Sequence, residues 1–268
     1  MDPNTIEQLL ALNRQFYTTL AAPFAASRPA SDPVLLPILP HIPESARVLD
    51  VGCGNGRLAL LLARERPGVR YVGVDIVPKL LAEAQRQVSS LAHEQPGAGD
   101  VGGNASPQLL AEARHQTAPK PSIPTFYLAD VAQPGWTGLL PAGTFDCAVI
   151  LAVLHHLPSF DLRARVLGDI GAVLKPAGRI ILSTWQFLTH ERMRRKIVPW
   201  AAVDIDEEQL EPGDYLLDWK RGGRGLRYCH LIDEAELQQL ATASGFRVLE
   251  MFRAGGREGN LSLGAVLG

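Results

Sequence analysis

The stretch "VLDVGCGNGRLALLLA", Val48 to Ala63, constrains the fold of this chain more than any other. An apolar run meets glycines at three alternate positions, Gly52, Gly54 and Gly56, and a second apolar run of helical character follows. Glycine lets the backbone turn sharply and lets another group come close to it. The pattern predicts a buried strand, a bare turn and a helix that starts at the turn. The dinucleotide-binding spacing G-x-G-x-x-G places its third glycine one position later and serves a pyrophosphate. Here Asp50 stands just before the glycines, and a carboxylate suits a cationic ligand better.

The rest of the chain repeats this unit. "RVLDV", "RYVGVDI", "TFYLADV", "FDCAVILAV" and "GRIILSTW" read as strands. Between them "RLALLLARER", "PKLLAEAQRQVSSLAHE", with Pro78 in its first turn, and "LRARVLGDIGAVL" read as helices. Strands alternating with helices predict an α/β, doubly wound, mostly parallel sheet covered on both faces. Near the C-terminus Asp233 and Glu236 have capping-box spacing, Gly245 stops the helix, and "FRVLEMF" with "NLSLGAVL" predicts a hairpin at the sheet edge. That makes seven strands.

Four regions follow. Residues 1–46 hold an amphipathic N-terminal helix over 4–20 and a proline-broken lid for cofactor and substrate. Residues 47–185 form the ligand-binding core. Residues 93–124 interrupt that core with Gly, Ala, Pro and Gln, and are expected to be a mobile insertion with at most a short helix at "SPQLLAEA". Residues 186–232 carry Trp200, Tyr215, Trp219 and Tyr228 among many charges and are expected to cap the ends of the strands, where open α/β sheets bind ligands. Residues 233–268 return to the core as the terminal helix and edge strand pair.

Charge and cysteines exclude several classes. The formal net charge is -2, so no global field draws the chain to nucleic acid or a membrane. Cys53, Cys147 and Cys229 are widely spaced, which argues against a disulfide framework or a metal site. No uncharged apolar run has the length of a membrane span, and the opening residues lack a signal-peptide pattern; the expectation is a soluble cytoplasmic protein.

Asp75 ends the second strand, where a carboxylate can take both hydrogen bonds of a ribose diol. Asp130 ends the third, where it can meet an adenine amino group. Three strand-end carboxylates around a glycine turn describe a cationic nucleoside. In "VLDVGCGNGR", "YVGVDI", "YLADV", "FDCAVILAVLHHL" and "LKPAGRIILS" the chain resembles the class I S-adenosylmethionine-dependent methyltransferases. The resemblance implies S-adenosylmethionine as cofactor. It places the methionine moiety over Asp50, Gly52, Cys53, Gly54 and Gly56, the ribose on Asp75 beside Ile76, and the adenine between Asp130 and Val131, with Leu151 a further cofactor contact.

A narrower resemblance, in "QFYTTLAAPFAASR", "AVLHH", "STWQ", "GDYLLDWK", "RYCHLIDEAEL" and a late "GN", is to the tRNA wobble-uridine carboxymethyl methyltransferases, the Trm-nine and AlkB-homologue-eight type. It implies esterification of a 5-carboxymethyluridine carboxylate in tRNA, and some related tRNA enzymes add a small activator protein as partner. By the same match Arg28, His155 and His156 are the catalytic candidates. Tyr17, Trp219, Arg227, Tyr228, His230 and Asn260 are the substrate-binding candidates. The chain departs from the pattern at Leu261, where an aromatic usually follows Gly259-Asn260, and in a shorter, less basic cap.

The chemistry sets different needs for different acceptors. Methyl transfer from a sulfonium is an in-line displacement that needs alignment and dryness. A carboxylate nucleophile is already ionised and needs a clamp, which an arginine supplies in bidentate form. A hydroxyl or thiol acceptor would instead need a base such as histidine. The other readings are an O- or N-methyltransferase acting on a small metabolite, and a catalytically silent subunit of the same fold. Trp200, Tyr215 and Trp219 read as local core before they read as stacking platforms. "ERMRRKIVPW" and "WKRGGRGLRY" read either as a solvated face or as a surface that tracks phosphates.

Overall fold

The computed structural model describes residues 1–28, 35–94, 122–256 and 258–268. Most of 93–124, including the helix expected at "SPQLLAEA", lies outside the described residues.

Seven strands form one sheet in the order β3-β2-β1-β4-β5-β10-β9. They are β1 (Arg47–Val51), β2 (Arg70–Asp75), β3 (Thr125–Leu128), β4 (Phe145–Leu151), β5 (Leu174–Trp185), β9 (Val248–Ala254) and β10 (Ser262–Leu267). The first five run parallel, and β10 enters antiparallel between β5 and β9. The hairpin therefore leaves β9 as the edge. Central position explains the unbroken apolar runs: Val48, Leu49, Val51, Ala148, Val149 and Ile150 are all fully buried, because helices cover both faces.

Local signals set the helices. In α1 (Pro3–Thr19) Asp2 accepts hydrogen bonds from the Asn4 and Thr5 amides, and Pro3 occupies the first turn. After α2 (Ala21–Ala26), α3 (Arg57–Glu65) begins at Gly56 and α4 (Pro78–Glu94) at Pro78. Ser159 caps α5 (Phe160–Ala172), and α6 (Glu191–Arg194) is a single turn. At α7 (Glu234–Ala243) Asp233 accepts from the Glu236 amide at 2.8 Å. Glu236 does not close the capping box; its carboxylate turns to His230 and Arg163 instead.

Residues 186–232 build a second sheet, β6-β7-β8, from Ile197–Val198, Asp214–Trp219 and Gly225–His230. Helix α1 packs it onto the core. Leu9 of α1 packs with Trp200, Ile205, Leu216 and Tyr228, and Phe16 and Leu20 pack with Trp219. Asn13 pairs the outer edge of β8: its Oδ1 accepts from the Tyr228 amide at 2.9 Å, and its Nδ2 donates to the carbonyls of Tyr228 and His156. A buried side-chain amide thus satisfies backbone groups that a further strand would have taken.

Candidate active site

The cavity opens where β1 and β4 part, at the carboxyl ends of the strands, which is where the chain reverses its order across the sheet. Its floor is the glycine turn. The Gly52 and Cys53 amides both donate to the Val74 carbonyl, at 2.8 and 2.9 Å, lacing the turn to β2. Each glycine has a left-handed backbone but a different reason to be glycine. A Cβ on Gly52 would overlap the Val153 side chain, and one on Gly56 would sit 2.8 Å from Ala84 Cβ, between α3 and α4. A Cβ on Gly54 would meet nothing within 4 Å, and Gly54 lines the cavity.

The three acids part company. Asp75 lines the cavity, with Oδ2 taking the Gly54 amide and Oδ1 the Val77 amide, each at 2.9 Å. Burial raises its pKa and the backbone donors oppose the rise. Asp130 also lines the cavity, but β3 stops at Leu128, so Asp130 follows the strand rather than ending it. Its Oδ1 takes the Ala132 amide at 2.9 Å, a local turn that competes with strand pairing. Asp50 is not in the lining. It lies buried below the turn and accepts from the Tyr71 hydroxyl at 2.5 Å; burial pushes it up to about 7 against that bond.

At the other end of the cavity stand Tyr17, Phe24, Arg28 and His156. His156 Nδ1 lies 3.0 Å from the Tyr228 carbonyl, which only accepts. Nδ1 therefore carries the proton, and Nε2 accepts from the Tyr17 hydroxyl at 2.6 Å. Burial, then the nearby charge of Arg227, pushes this histidine down to about 3 against the Tyr228 bond, so it is neutral. His155 stacks on Trp185, 5.3 Å between centroids, and is fully buried outside the lining. Burial depresses it too, and neither ring nitrogen has a hydrogen-bond partner among the described residues. Arg227 lies over the same indole at 4.4 Å, with Phe16 and Trp219 at its sides. It is fully buried, and its Nε and Nη1 find no partner among the described residues.

Ten of the residues expected in the site line this one cavity besides His156: Tyr17, Arg28, Gly52, Cys53, Gly54, Asp75, Ile76, Asp130, Val131 and Leu151. Gly56 caps α3 behind it. Five expected substrate contacts are not in the lining; of these Arg227 is fully buried against Trp185 behind the cavity wall. Trp219 is local core against Phe16 and Leu20. Tyr228 and His230 both bond Asp214, at 2.7 and 2.6 Å, and His230 Nε2 also bonds Glu236 at 2.8 Å. Arg163 completes that cluster with Glu211 and Glu236 at 2.8 and 2.9 Å, so Glu211, Asp214 and His230, close enough to share an ion, already face a guanidinium. Asn260 sits in the turn before β10, with Nδ2 on Glu258. These side chains fasten the cap and the last hairpin.

Leu10, Asn13 and Arg14 also line the cavity, and Arg14 bridges Glu7 and Asp130. Their sequence signal is helical spacing with Tyr17, since 10, 14 and 17 share one face of α1.

A family model described as a methyltransferase domain matches residues 25–251. The chain belongs to this methyltransferase family. S-adenosylmethionine is the methyl donor its cavity fits: Gly54 leaves open the space a Cβ would fill, and the carboxylates of Asp75 and Asp130 line the same cavity. The tRNA (carboxymethyluridine(34)-5-O)-methyltransferase of Schizosaccharomyces pombe is 23% identical over 251 residues, 88% of this chain and 89% of that protein. Its Arabidopsis thaliana namesake is 23% identical over 74% of this chain but only 38% of its own length. The chain likewise spans about half, 47%, of a methyltransferase-named relative from Encephalitozoon cuniculi at 34% identity over 40% of this chain. A SAM-dependent methyltransferase structure from Methanosarcina mazei has a TM-score of 0.60 at 21% identity, covering 87% of this chain and 96% of that one, a likeness of fold.

Proposed function

We propose that this methyltransferase esterifies a carboxylate, that of a 5-carboxymethyl wobble uridine in tRNA. One observation carries the acceptor class: a fully buried guanidinium, Arg227, whose Nε and Nη1 have no partner among the described residues, beside the cavity. Tyr17 hydrogen-bonds the guanidinium, but leaving the other N–H groups of a buried cation unpaired is costly, and a carboxylate is the group that satisfies a guanidinium in bidentate form. The nearly full-length similarity to the Schizosaccharomyces pombe enzyme supports the tRNA acceptor.

In this reading S-adenosylmethionine supplies an electrophilic methyl group. Asp75 and Asp130 orient the adenosine end, and the glycine turn lets the donor approach the main chain. Arg227, with Arg28 at the cavity wall, holds the acceptor carboxylate in line. No base is needed, and both neutral histidines accord with that. His156 instead fixes the Tyr17 hydroxyl, which donates to it. The lid of α1 and α2 side chains over the cavity also favours a second reading, a small carboxylic acid as acceptor.

The test is mass spectrometry of nucleosides after incubation with S-adenosylmethionine and tRNA bearing carboxymethyluridine. The expected product is an alkali-labile methyl ester. Arg227→Met should abolish transfer while leaving donor binding intact, and Arg227→Lys should restore part of it. Ester formation on small carboxylic acids but never on tRNA would refute the tRNA acceptor; full activity in Arg227→Met would refute the clamp.

A further inference from the structure

The cap carries opposite charges at opposite ends. Its acidic run, Asp204, Asp206, Glu207, Glu208 and Glu211, lies beside the start of α1, where Thr5 bonds Gln209 at 2.8 Å. Its cations gather at the other end, from two segments far apart in sequence. Residues 192–196 lead into β6, and residues 220–224 form the turn between β7 and β8. The Asp218 amide donates to the Lys196 carbonyl at 2.8 Å, so the two segments are neighbours. Burial lowers the pKa of Lys196, and the charges of Arg227, Arg192 and Arg221 lower it further.

Some of these cations are neutralised locally and some are not. Arg195 pairs with Glu191, and Lys220 with Asp218. Arg192, Arg221 and Arg224 are exposed and have no ion pair among the described residues. An ordinary solvated face intersperses its signs; here like charges are brought together by the fold. The placement is also fixed. Trp219 Nε1 donates to the Arg221 carbonyl at 2.6 Å, and Gly222 and Gly223 press on Pro23 and Leu20, so closely that a Cβ would approach to 2.5 and 2.6 Å. Pro23 belongs to α2, whose Phe24 lines the cavity, with Arg28 just beyond its end. The cationic turn therefore stands on the rim of the site, and the charges continue inward through Lys196 to Arg227.

We propose that this cap face, Arg192, Lys196, Lys220, Arg221 and Arg224, is a docking surface for the phosphate backbone of an RNA whose modified base enters the cavity beneath it. The inference rests on the tRNA reading above and adds the surface that reading lacks in a chain of net charge -2. Several phosphate contacts on one short turn suit a tight RNA hairpin, in which successive phosphates curve around an extruded base. A free carboxylic acid needs none of them.

The experiment compares the wild type with Arg192→Gln/Lys220→Gln/Arg221→Gln/Arg224→Gln. A second variant, Arg64→Gln/Arg86→Gln/Arg179→Gln/Arg247→Gln, removes the same charge from exposed positions on the core. The probe is an anticodon-arm RNA hairpin carrying carboxymethyluridine, titrated from low to high salt. Methyl-ester formation on the free carboxymethyluridine nucleoside is followed in parallel, and thermal melting checks folding. Each cation withdrawn from a phosphate flattens the plot of log affinity against log salt by about 0.7 to 0.9. The cap variant should thus flatten by about three and bind at least about tenfold more weakly at low salt, with nucleoside esterification and melting unchanged. The core variant should bind like the wild type. Equal slopes for wild type and cap variant would overturn the surface while leaving the tRNA acceptor standing. A wild type that esterifies the nucleoside but binds no hairpin at any salt would overturn both. A core variant that weakens as much as the cap variant would overturn the surface in favour of a net-charge effect.

Discussion

Adding one methyl group at each glycine of the turn should produce three different failures. All three residues have positive φ, 71°, 56° and 79°, so alanine at any of them carries a backbone cost of about 1–2 kcal/mol. At Gly54 that is the whole structural cost, because the new Cβ meets nothing within 4 Å. At Gly56 the Cβ would lie 2.8 Å from Ala84 Cβ and 3.2 Å from its Cα, backbone that moves only if α4 moves; overpacking adds about 1–3 kcal/mol. At Gly52 the Cβ overlaps Val153, a stiff β-branched side chain that itself lines the cavity, so stability and site shape suffer together. Urea unfolding should rank Gly54→Ala as the mildest, with Gly56→Ala and Gly52→Ala each destabilised by about 2–5 kcal/mol, the sum of those two terms. Calorimetry with S-adenosylmethionine should reverse the ranking: Gly54→Ala puts a methyl group into ligand space and should weaken binding at least tenfold, about 1.4 kcal/mol. Gly56→Ala, if it folds, should bind closer to the wild type. Wild-type donor affinity in Gly54→Ala would refute the placement of the donor over Gly54, and destabilisation equal to that of Gly56→Ala would refute the open space above it.

Two pH effects follow from buried groups. Burial alone would depress His230, but its bonds to Asp214 and Glu236 hold its pKa above the ordinary histidine value. Its contribution to stability is full below about 6.5 and is lost as pH rises through the raised folded-state value. The stability gap between wild type and His230→Gln, measured by urea midpoints from pH 5 to 9, should be widest at acid pH, about 3–5 kcal/mol for a broken buried pair, and narrow as pH rises. Asp50 has the same sign with a different window: its carboxyl, near 7 when folded against 3.8 for a solvated aspartate, contributes stability that is lost as pH rises from about 4 through 7. Asp50→Asn should flatten that part of the profile, and an unchanged slope would count against a protonated Asp50.

The parts of this molecule that are legible in sequence are those fixed by local chemistry. The glycine turn, Asp75 and the Pro78 start of α4 are dictated by backbone needs within a few residues, and the central strands follow from apolar runs that only a parallel sheet covered on both faces can bury. Asp130 lies within two residues of its expected place, displaced by its own side chain bonding the Ala132 amide. Asp50 misleads because a carboxylate beside glycines looks ligand-facing, whereas strand alternation turns it under the turn to Tyr71.

The same alternation explains "RYCH". Four consecutive residues suggest one contact surface, but a strand sends neighbours to opposite faces. Arg227 goes to Trp185, and Cys229 Sγ comes within 3.6 Å of His156 Nδ1. Tyr228 and His230 go the other way, to Asp214. One strand therefore does two jobs: its outward pair locks the cap to α5 and α7 through Arg163 and Glu236, and its inward pair sets the partly unpaired guanidinium of Arg227 beside the cavity. The two are mechanically coupled. If, as proposed, the sheet holds the donor and the cap the acceptor, His230→Gln should loosen β8 and raise the KM for the acceptor more than that for S-adenosylmethionine. Equal changes in both constants would show that the cap and the glycine turn respond as one unit, against a division of labour within β8.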